Sequence, residues 1–142
     1  METVRVSLGC RSYEIRITTA ESGLGEFVCS RLETVGRAFI VCDDHVEALA
    51  EGPLAELESK QFAVDMIVVP AGEMSKSLET AAMLYDRLAE MEADRQTLIV
   101  AVGGGVVGDL AGFAAAEHHE RGHGRHQQSA DECTHNSNDD VC

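Results

Sequence analysis

The sequence predicts an α/β fold: a parallel sheet with helices on both faces, preceded by an N-terminal β-hairpin and followed by a disordered C-terminal tail. Three continuous apolar runs of strand length, at residues 38–42, 64–70 and 97–102, predict the sheet. They lack polar alternation, which is typical of strands buried on both faces of a parallel sheet. Segments with helical spacing of apolar residues separate the runs, and this alternation favours parallel pairing with right-handed crossovers.

The segment before the first apolar run predicts a hairpin and a helix. Residues 4–8 and 13–17 alternate apolar and polar side chains on either side of a short turn that contains Gly9. This period of two predicts a β-hairpin with one face in water. Apolar residues then recur at helical spacing from Leu24 to Val35, and Gly36 is a plausible C-terminal stop.

An acidic pair, Asp43-Asp44, closes the first apolar run. Ligands of open α/β sheets bind at the carboxyl ends of the strands, so the pair is a candidate binding site. A helix N-cap for the segment that starts at Val46 explains it equally well. A Gly-Pro pair then predicts a break in that helix, with Pro53 as the first residue of a second short helix that runs to about Lys60.

The second apolar run leads into a loop at residues 71–76, and Ser75 or Ser77 is the predicted N-cap of the next helix. Helical spacing predicts that the buried stripe of this helix consists of Leu78, Ala81, Ala82, Tyr85 and Leu88.

Three consecutive glycines, residues 103–105, follow the third apolar run. Without Cβ atoms the chain can turn sharply and a ligand can approach the backbone closely. Helical spacing resumes at Val106, so free N–H groups and the positive end of a helix dipole point out of the turn, as an anion site requires. Gly103-x-Gly105-x-x-Gly108 fits the dinucleotide-binding fingerprint, but a tight strand-to-helix turn with close helix packing explains the pattern too.

Charge and composition restrict the classes of partner. The chain has 11 basic and 25 acidic residues, a net charge of −14, which argues against nucleic acid and anionic membranes. It shows neither the long apolar run of a membrane span nor a secretory signal, which predicts a cytoplasmic protein. Cys10, Cys29 and Cys42 lack metal-site spacing and are predicted to be buried, reduced thiols.

The composition changes abruptly after residue 116. Residues 117–142 contain no Leu, Ile, Phe, Met, Tyr or Trp. Burial of such a segment does not offset the entropy of ordering it, so we predict a folded domain at residues 1–116 and a disordered, histidine-rich tail. His119 and His123 have a spacing that chelates a metal in a helix, but no carboxylate–histidine signature accompanies them, and we assign no functional metal site.

Three motifs resemble those of 3-dehydroquinate synthase, in the family's order and over residues 1–116. The stretch Gly103-Gly-Gly-Val-Val-Gly-Asp-Leu-Ala-Gly-Phe-Ala-Ala115 looks like the family's glycine-rich signature. Gly72-Glu-Met-Ser-Lys-Ser-Leu-Glu79 resembles its G-E-x-x-K-S-L segment, and Leu8-Gly-x-Arg-Ser-Tyr-x-Ile15 resembles its first hairpin. The Gly-Asp-Leu-x-Gly-Phe continuation favours the sugar-phosphate cyclase branch over the glycerol dehydrogenase relatives.

The resemblance implies a Rossmann-like, NAD-binding N-terminal domain. The family converts the sugar phosphate DAHP into 3-dehydroquinate with elimination of phosphate, in the shikimate route to aromatic amino acids. It uses NAD without net redox change, and a divalent metal, usually zinc, polarises the oxygen of the oxidised carbon. By position, the resemblance assigns to the cofactor Asp43, His45, Glu73, Lys76, Gly104, Gly105, Val106 and Asp109.

The implied roles differ along the cofactor. Asp43 meets the adenosine ribose, residues 104–106 cradle the pyrophosphate, and Asp109 lies near the nicotinamide ribose. His45 stands where the family often has Asn. From spacing alone, Glu73 and Lys76 could equally be a pair of charged side chains in a solvated loop. Asp109 could equally be a carboxylate at the start of a helix, where the helix dipole stabilises a negative charge.

After Ala116 the sequence departs from the family pattern. The metal ligands, the substrate-binding arginine and the substrate lysines have no counterpart, so no catalytic residue is assigned. We expect this chain to be the NAD-binding half of the enzyme and to be inactive alone. Its exposed sheet edge should favour self-association. Two interpretations stay open: part of another sugar-phosphate cyclase or a glycerol dehydrogenase-like polyol dehydrogenase, and a non-catalytic remnant or interaction module.

Overall fold

The computed structural model describes residues 2–17, 23–32 and 36–121. Five strands form an antiparallel pair and a parallel sheet: β1 (Glu2–Val6) with β2 (Tyr13–Ile17), and β3 (Arg37–Asp43), β4 (Ala63–Val69) and β5 (Leu98–Val102) in the order β4-β3-β5. The helices are α1 (Leu24–Cys29), α2 (Glu47–Ser59), α3 (Leu78–Glu90) and α4 (Gly105–Arg121), with short 3-10 turns at Gly9–Arg11 and Glu73–Ser75. The predicted α/β fold with an N-terminal hairpin is confirmed. Within these ranges no helix has the length and apolar character of a membrane span.

Strand β3 is the fully buried centre of the parallel sheet. Residues 38–42 are 0% exposed, whereas the side chains of β4 and β5 are mostly half-buried and Ala101 is exposed. Each outer strand has only β3 as a partner in the described part of the chain. The expectation that all three strands are buried on both faces is therefore right for β3 and wrong for β4 and β5.

Helices cover both faces of the sheet, as predicted. Successive side chains of β3 point to opposite faces, so Phe39 and Val41 enter one core and Ala38, Ile40 and Cys42 enter the other. The first core is completed by α3 and α4 through Leu84, Leu88, Val107, Leu110, Ala111 and Ala114. The second is completed by α1, α2 and the residue before β4 through Val28, Ala50, Leu57 and Phe62.

Helix α2 is continuous, and the prediction of a break at Pro53 is wrong. Proline removes one helical N–H donor, which weakens the helix locally. Ala50 and Leu57 lie on either side of Pro53 and are seven positions apart, about two helical turns. They form one stripe of the helix, and both are 0% exposed in the same core. Burial of the two ends of this stripe holds the helix together across the proline.

Helix α3 begins at the predicted cap but buries a different stripe. The Ser77 hydroxyl accepts the N–H of Thr80 at 3.1 Å, which confirms Ser77 as the N-cap. Leu78 is 84% exposed and Ala82 is also exposed, so their predicted burial is wrong. The buried residues of the helix are Thr80, Ala81, Leu84 and Leu88, with Tyr85 half-buried.

The hairpin turns its apolar face to solvent. The pairing of Val4 with Ile15 places the apolar residues of both strands on one face, and these two side chains are 41% and 45% exposed. On the opposite face, the Arg16 guanidinium lies 4.4 Å from the Phe27 ring centroid of α1, while Thr3, Arg5 and Arg16 are exposed. The hairpin prediction is confirmed, but the expectation of one face in water is wrong, because most residues on both faces are exposed.

The cysteines differ in burial. Cys42 is buried in β3, as predicted. Burial raises the pKa of its thiol. Cys10 and Cys29 are exposed, so their predicted burial is wrong.

Two predicted boundaries also shift. Helix α1 ends at Cys29, well before the expected end at Val35, and residues 33–35 lie outside the described ranges. Helix α4 continues to Arg121, past the expected domain boundary at residue 116. Residues 122–142 lie outside the description, so the disordered tail stays a prediction.

The Glu56 carboxylate fastens α1 to α2. It accepts N–H bonds from Gly23 at 3.0 and 3.1 Å and from Gly25 at 2.9 Å, so a side chain of α2 caps the start of α1. We expect Glu56→Ala to lower the free energy of unfolding by about 1–2 kcal/mol, the usual effect of losing a helix cap. Glu58→Ala, on the exposed side of α2, is the matched control and should change it by less than about 0.5 kcal/mol. Equal effects of the two variants in urea unfolding would contradict the cap.

Candidate functional site

The candidate site lies at the carboxyl edge of the parallel sheet. Asp43 at the end of β3 is in register with Val69 of β4, and Cys42 is in register with Val102 of β5. The chain runs from β3 to β4 on one side and then crosses to β5 on the other, and α2 and α4 cover opposite faces. The strand order therefore reverses between β3 and β5, and ligands of open α/β sheets bind at such a switch point.

The glycine turn is tightest at its first residue. Gly103 has φ +153°, and a Cβ there would stand 2.8 Å from Cγ2 of Val107 and 3.5 Å from Oδ2 of Asp43. No side chain fits between these groups. A Cβ on Gly104 or Gly105 would meet nothing within 4 Å, so the outer side of the turn is open to a ligand. The sharp strand-to-helix turn predicted from the sequence is confirmed.

Asp43 points along this turn and does not cap α2. Its Oδ1 accepts the N–H of His45 at 3.0 Å, while Oδ2 lies on the side of Gly103. The N-cap residue of α2 is Val46, which offers no side-chain hydrogen bond. The capping explanation of the acidic pair is therefore wrong, and one carboxylate oxygen of Asp43 faces the switch point. The side chain of His45 is exposed.

Lys76 joins the loop after β4 to helix α4. Its Nζ lies 2.7 Å from Oδ2 of Asp109 and 3.4 Å from Oε2 of Glu73. The hydrogen bond to Asp109, followed by the one to Glu73, raises the pKa of Lys76 above the ordinary 10.5. Any stabilisation from this effect is complete below pH 10.5 and is lost as the pH rises through the raised pKa. Spacing alone also allowed Glu73 and Lys76 to be an isolated, solvated loop pair. In the structure Lys76 also pairs with Asp109, so that explanation is incomplete.

The structure thus brings together two groups of the predicted site residues. Asp43 lies beside the glycine turn, and Glu73, Lys76 and Asp109 form one ion-paired cluster. Val106 is half-buried against the core that α4 shares with the sheet, which leaves its backbone as the part available to a ligand. Ligand atoms of Asp43, Asp44 and His45 lie within 4.8 Å of one another, but two of these residues are exposed and both carboxylates accept backbone N–H groups, so we assign no metal to them.

Sequence reasoning named Asp44 as half of the acidic pair and Ser75 as a possible helix cap, but it missed the contacts that these two residues make in the site. Asp44 Oδ1 accepts the N–H of Ala71 at 3.0 Å, and the buried Ser75 donates its hydroxyl to the carbonyl of Pro70. Both contacts hold the loop that carries Glu73 and Lys76. The sequence placed Asp44 next to a strand end and Ser75 near a helix start, and neither position specifies a partner.

With this geometry established, we compared the chain with known proteins. The family model described as 3-dehydroquinate synthase N-terminal matches residues 66–129. The 3-dehydroquinate synthase of Desulforamulus reducens is 40% identical over 119 residues, 82% of this chain and 33% of that protein. That of Caulobacter vibrioides is 45% identical over 118 residues, 82% of this chain and 32% of that protein. That of Enterococcus faecalis is 45% identical over 113 residues, 78% of this chain and 31% of that protein.

The chain is similar to the N-terminal part of 3-dehydroquinate synthases. It spans about a third of the length of these curated relatives. A crystal structure of 2-deoxy-scyllo-inosose synthase, complexed with carbaglucose-6-phosphate, NAD+ and Co2+, superimposes with a TM-score of 0.66 at 28% identity, over 81% of this chain and 31% of that one. The expected likeness to 3-dehydroquinate synthase and the Rossmann-like α/β fold are both confirmed.

Proposed function

We propose that this chain forms the NAD-binding part of a 3-dehydroquinate synthase, an enzyme that converts DAHP into 3-dehydroquinate with elimination of phosphate. The observation that carries the proposal is the convergence of Lys76, Glu73 and Asp109 at the carboxyl edge of the sheet, on the loop and helix that flank the strand-order reversal. The family relationship supplies the reaction. The relatives' 3-dehydroquinate synthase names and the NAD+ in the solved 2-deoxy-scyllo-inosose synthase complex support it.

The residues at the switch point fit a dinucleotide. The N–H of Gly108 bonds to the carbonyl of Gly104 at 3.0 Å, which leaves the N–H groups of the preceding helix-start residues without a helical acceptor. In our proposal, the backbone of Gly104, Gly105 and Val106 holds the pyrophosphate at the positive end of α4. The open space outside Gly104 and Gly105 leaves room for this approach.

The carboxylates would then orient the two riboses. Asp43 keeps one oxygen available beside Gly103, which suits acceptance of a hydroxyl from the adenosine ribose, and His45 lies next to it. Asp109 would accept from the nicotinamide ribose, with Lys76, itself paired with Glu73, holding that carboxylate in place. Bound NAD supplies a reversible hydride acceptor for the substrate hydroxyl.

We further propose that residues 1–116, together with the end of α4, are the NAD-binding unit of a cytoplasmic enzyme and that the tail after Arg121 is disordered. The metal ligands, zinc in most of the family, and the substrate contacts would come from the remaining two thirds of a full-length relative. Pure chain supplied with zinc should therefore not turn over DAHP. The free edges of β4 and β5 favour self-association of the isolated chain.

Titration calorimetry with NAD tests the proposal. We expect saturable but weak binding by the chain, because NAD in the family lies between two domains. Asp109→Asn and Lys76→Gln should each weaken it about 10- to 100-fold, since hydrogen bonds that involve a charged group contribute about 1.5–3 kcal/mol. Asp86→Asn is the control: Asp86 is an exposed carboxylate about 12 Å along α3 from its first residue. A folded wild-type chain that binds no NAD would favour a remnant or interaction module.

The second candidate is another sugar-phosphate cyclase, favoured by the structural likeness to 2-deoxy-scyllo-inosose synthase. NAD binding is common to both candidates and does not separate them. Assays of the full-length protein with DAHP and with a six-carbon sugar phosphate would do so, because the two candidates act on different substrates.

A further inference from the structure

The loop that carries Glu73 and Lys76 leaves β4 with little apolar support. Glu73 and Met74 project into solvent, and Met74 is 92% exposed. Packing against a core therefore does not explain why Lys76 reaches Asp109 at 2.7 Å. The position of the loop must come from its polar contacts.

Asp44, which follows the neighbouring strand β3, forms hydrogen bonds to the start of this loop. Its backbone N–H donates to the carbonyl of Val69 at 3.1 Å, which extends the β3–β4 ladder by one residue. Its side-chain Oδ1 accepts the N–H of Ala71 at 3.0 Å. A single residue thus holds the chain on both sides of Pro70, where no proline N–H is available for the ladder.

Hydrogen bonds within the loop connect Ala71 to Lys76, so the position that Asp44 gives to Ala71 also affects Lys76. The Ser75 hydroxyl, in a residue only 4% exposed, donates to the Pro70 carbonyl. The N–H of Ser75 donates to the carbonyl of Gly72 at 3.1 Å, and that of Lys76 to the carbonyl of Glu73 at 3.0 Å. A shift of the loop at Ala71 would therefore move Lys76 with it.

We propose that Asp44 is a positioning residue: through its hydrogen bond to Ala71 it sets the loop so that Lys76 meets Asp109. The consequence for NAD rests on the function proposed above. Asp44 touches neither Lys76 nor Asp109 in the contacts described, so it acts through the loop. Only the acceptor oxygen is needed for this role, and an asparagine in its place keeps that oxygen.

The test compares Asp44→Ala, Asp44→Asn and the control Asp86→Ala by NMR and calorimetry on the whole chain. In Asp44→Ala, we expect the amide hydrogen of Ala71 to exchange about 10-fold faster and the 15Nζ resonance of Lys76 to shift toward that of a free lysine. NAD affinity should fall about 3- to 10-fold, the factor that one neutral hydrogen bond contributes. Asp44→Asn and Asp86→Ala should resemble the wild type in all three measurements.

An unchanged Lys76 resonance in folded Asp44→Ala would overturn the positioning role, whatever the NAD result. If the wild type binds no NAD, the proposed function fails, while the exchange and Lys76 measurements still decide the role of Asp44. Should Asp44→Ala not fold, Asp44→Glu moves the carboxylate outward by one methylene and keeps its charge. A wild-type Lys76 resonance in that variant would also contradict the proposal.

Discussion

Replacement of Gly103 by alanine should lower the free energy of unfolding by about 1–3 kcal/mol, the range for a strained backbone position. The new Cβ would stand 2.8 Å from Cγ2 of Val107, closer than such contacts tolerate, and φ at +153° disfavours any side chain. Val107 is 0% exposed and packed in the core beneath α4, so it has little room to move away. Urea unfolding followed by circular dichroism measures the loss.

Gly104→Ala is the matched control one residue further along the same turn. Its Cβ meets nothing within 4 Å, so stability should change by less than about 0.5 kcal/mol. If the turn cradles a pyrophosphate, the same Cβ projects toward it, and NAD affinity should fall at least about 10-fold. Gly112→Ala, in the exposed interior of α4, should raise stability by about 0.5–1 kcal/mol. Equal stability of the Gly103 and Gly104 variants would show that the turn is not constrained as described.

Leu84→Ala should lower the free energy of unfolding by about 2–5 kcal/mol, whereas Leu78→Ala in the same helix should change it by less than about 0.5 kcal/mol. Leu84 is 0% exposed and contributes to the core beneath α3 and α4, so its truncation leaves a cavity. Leu78 is 84% exposed and loses almost no packing. The two variants remove the same atoms from one helix, so the difference measures burial alone.

Leu84→Met separates volume from side-chain identity. It nearly conserves the buried volume and should cost less than about 1.5 kcal/mol in the same unfolding experiment. Comparable losses for the alanine variants at Leu78 and Leu84 would mean that α3 is rotated about its axis relative to the orientation described. That outcome would also move Ser77 and the start of the helix relative to the site.

Much of the local structure could be predicted from the sequence by itself. The three apolar runs became β3, β4 and β5, the alternating segments became the hairpin, and Ser77 capped α3 as its hydroxyl and position indicate. The glycine turn and the family likeness were equally accessible. These features depend on residues within a few positions of one another, where backbone preference and side-chain period dominate.

Burial could not be predicted to the same extent, because it depends on what packs against each surface. Helical spacing in α3 allows stripes through Leu78 or through Leu84, and only the position of the helix over the sheet selects Leu84. A break was expected at the Gly-Pro pair, with Pro53 as the first residue of a second helix, yet α2 continues across it. The hairpin showed its alternation in the sequence, but the exposure of both of its faces depends on what packs against it.

The candidate site shows the same division. Its residues were recognised from motifs, but their mutual contacts depend on the order β4-β3-β5, which no local pattern contains. That order places the loop after β4 and the helix after β5 on either side of the end of β3, so Lys76 reaches Asp109 across it. Asp44 acquires its partner in the same way, since its neighbour Ala71 follows a strand that is adjacent only in space. The sequence by itself determined which groups are present, and tertiary structure decided which of them meet, because these contacts join segments that only the sheet brings together.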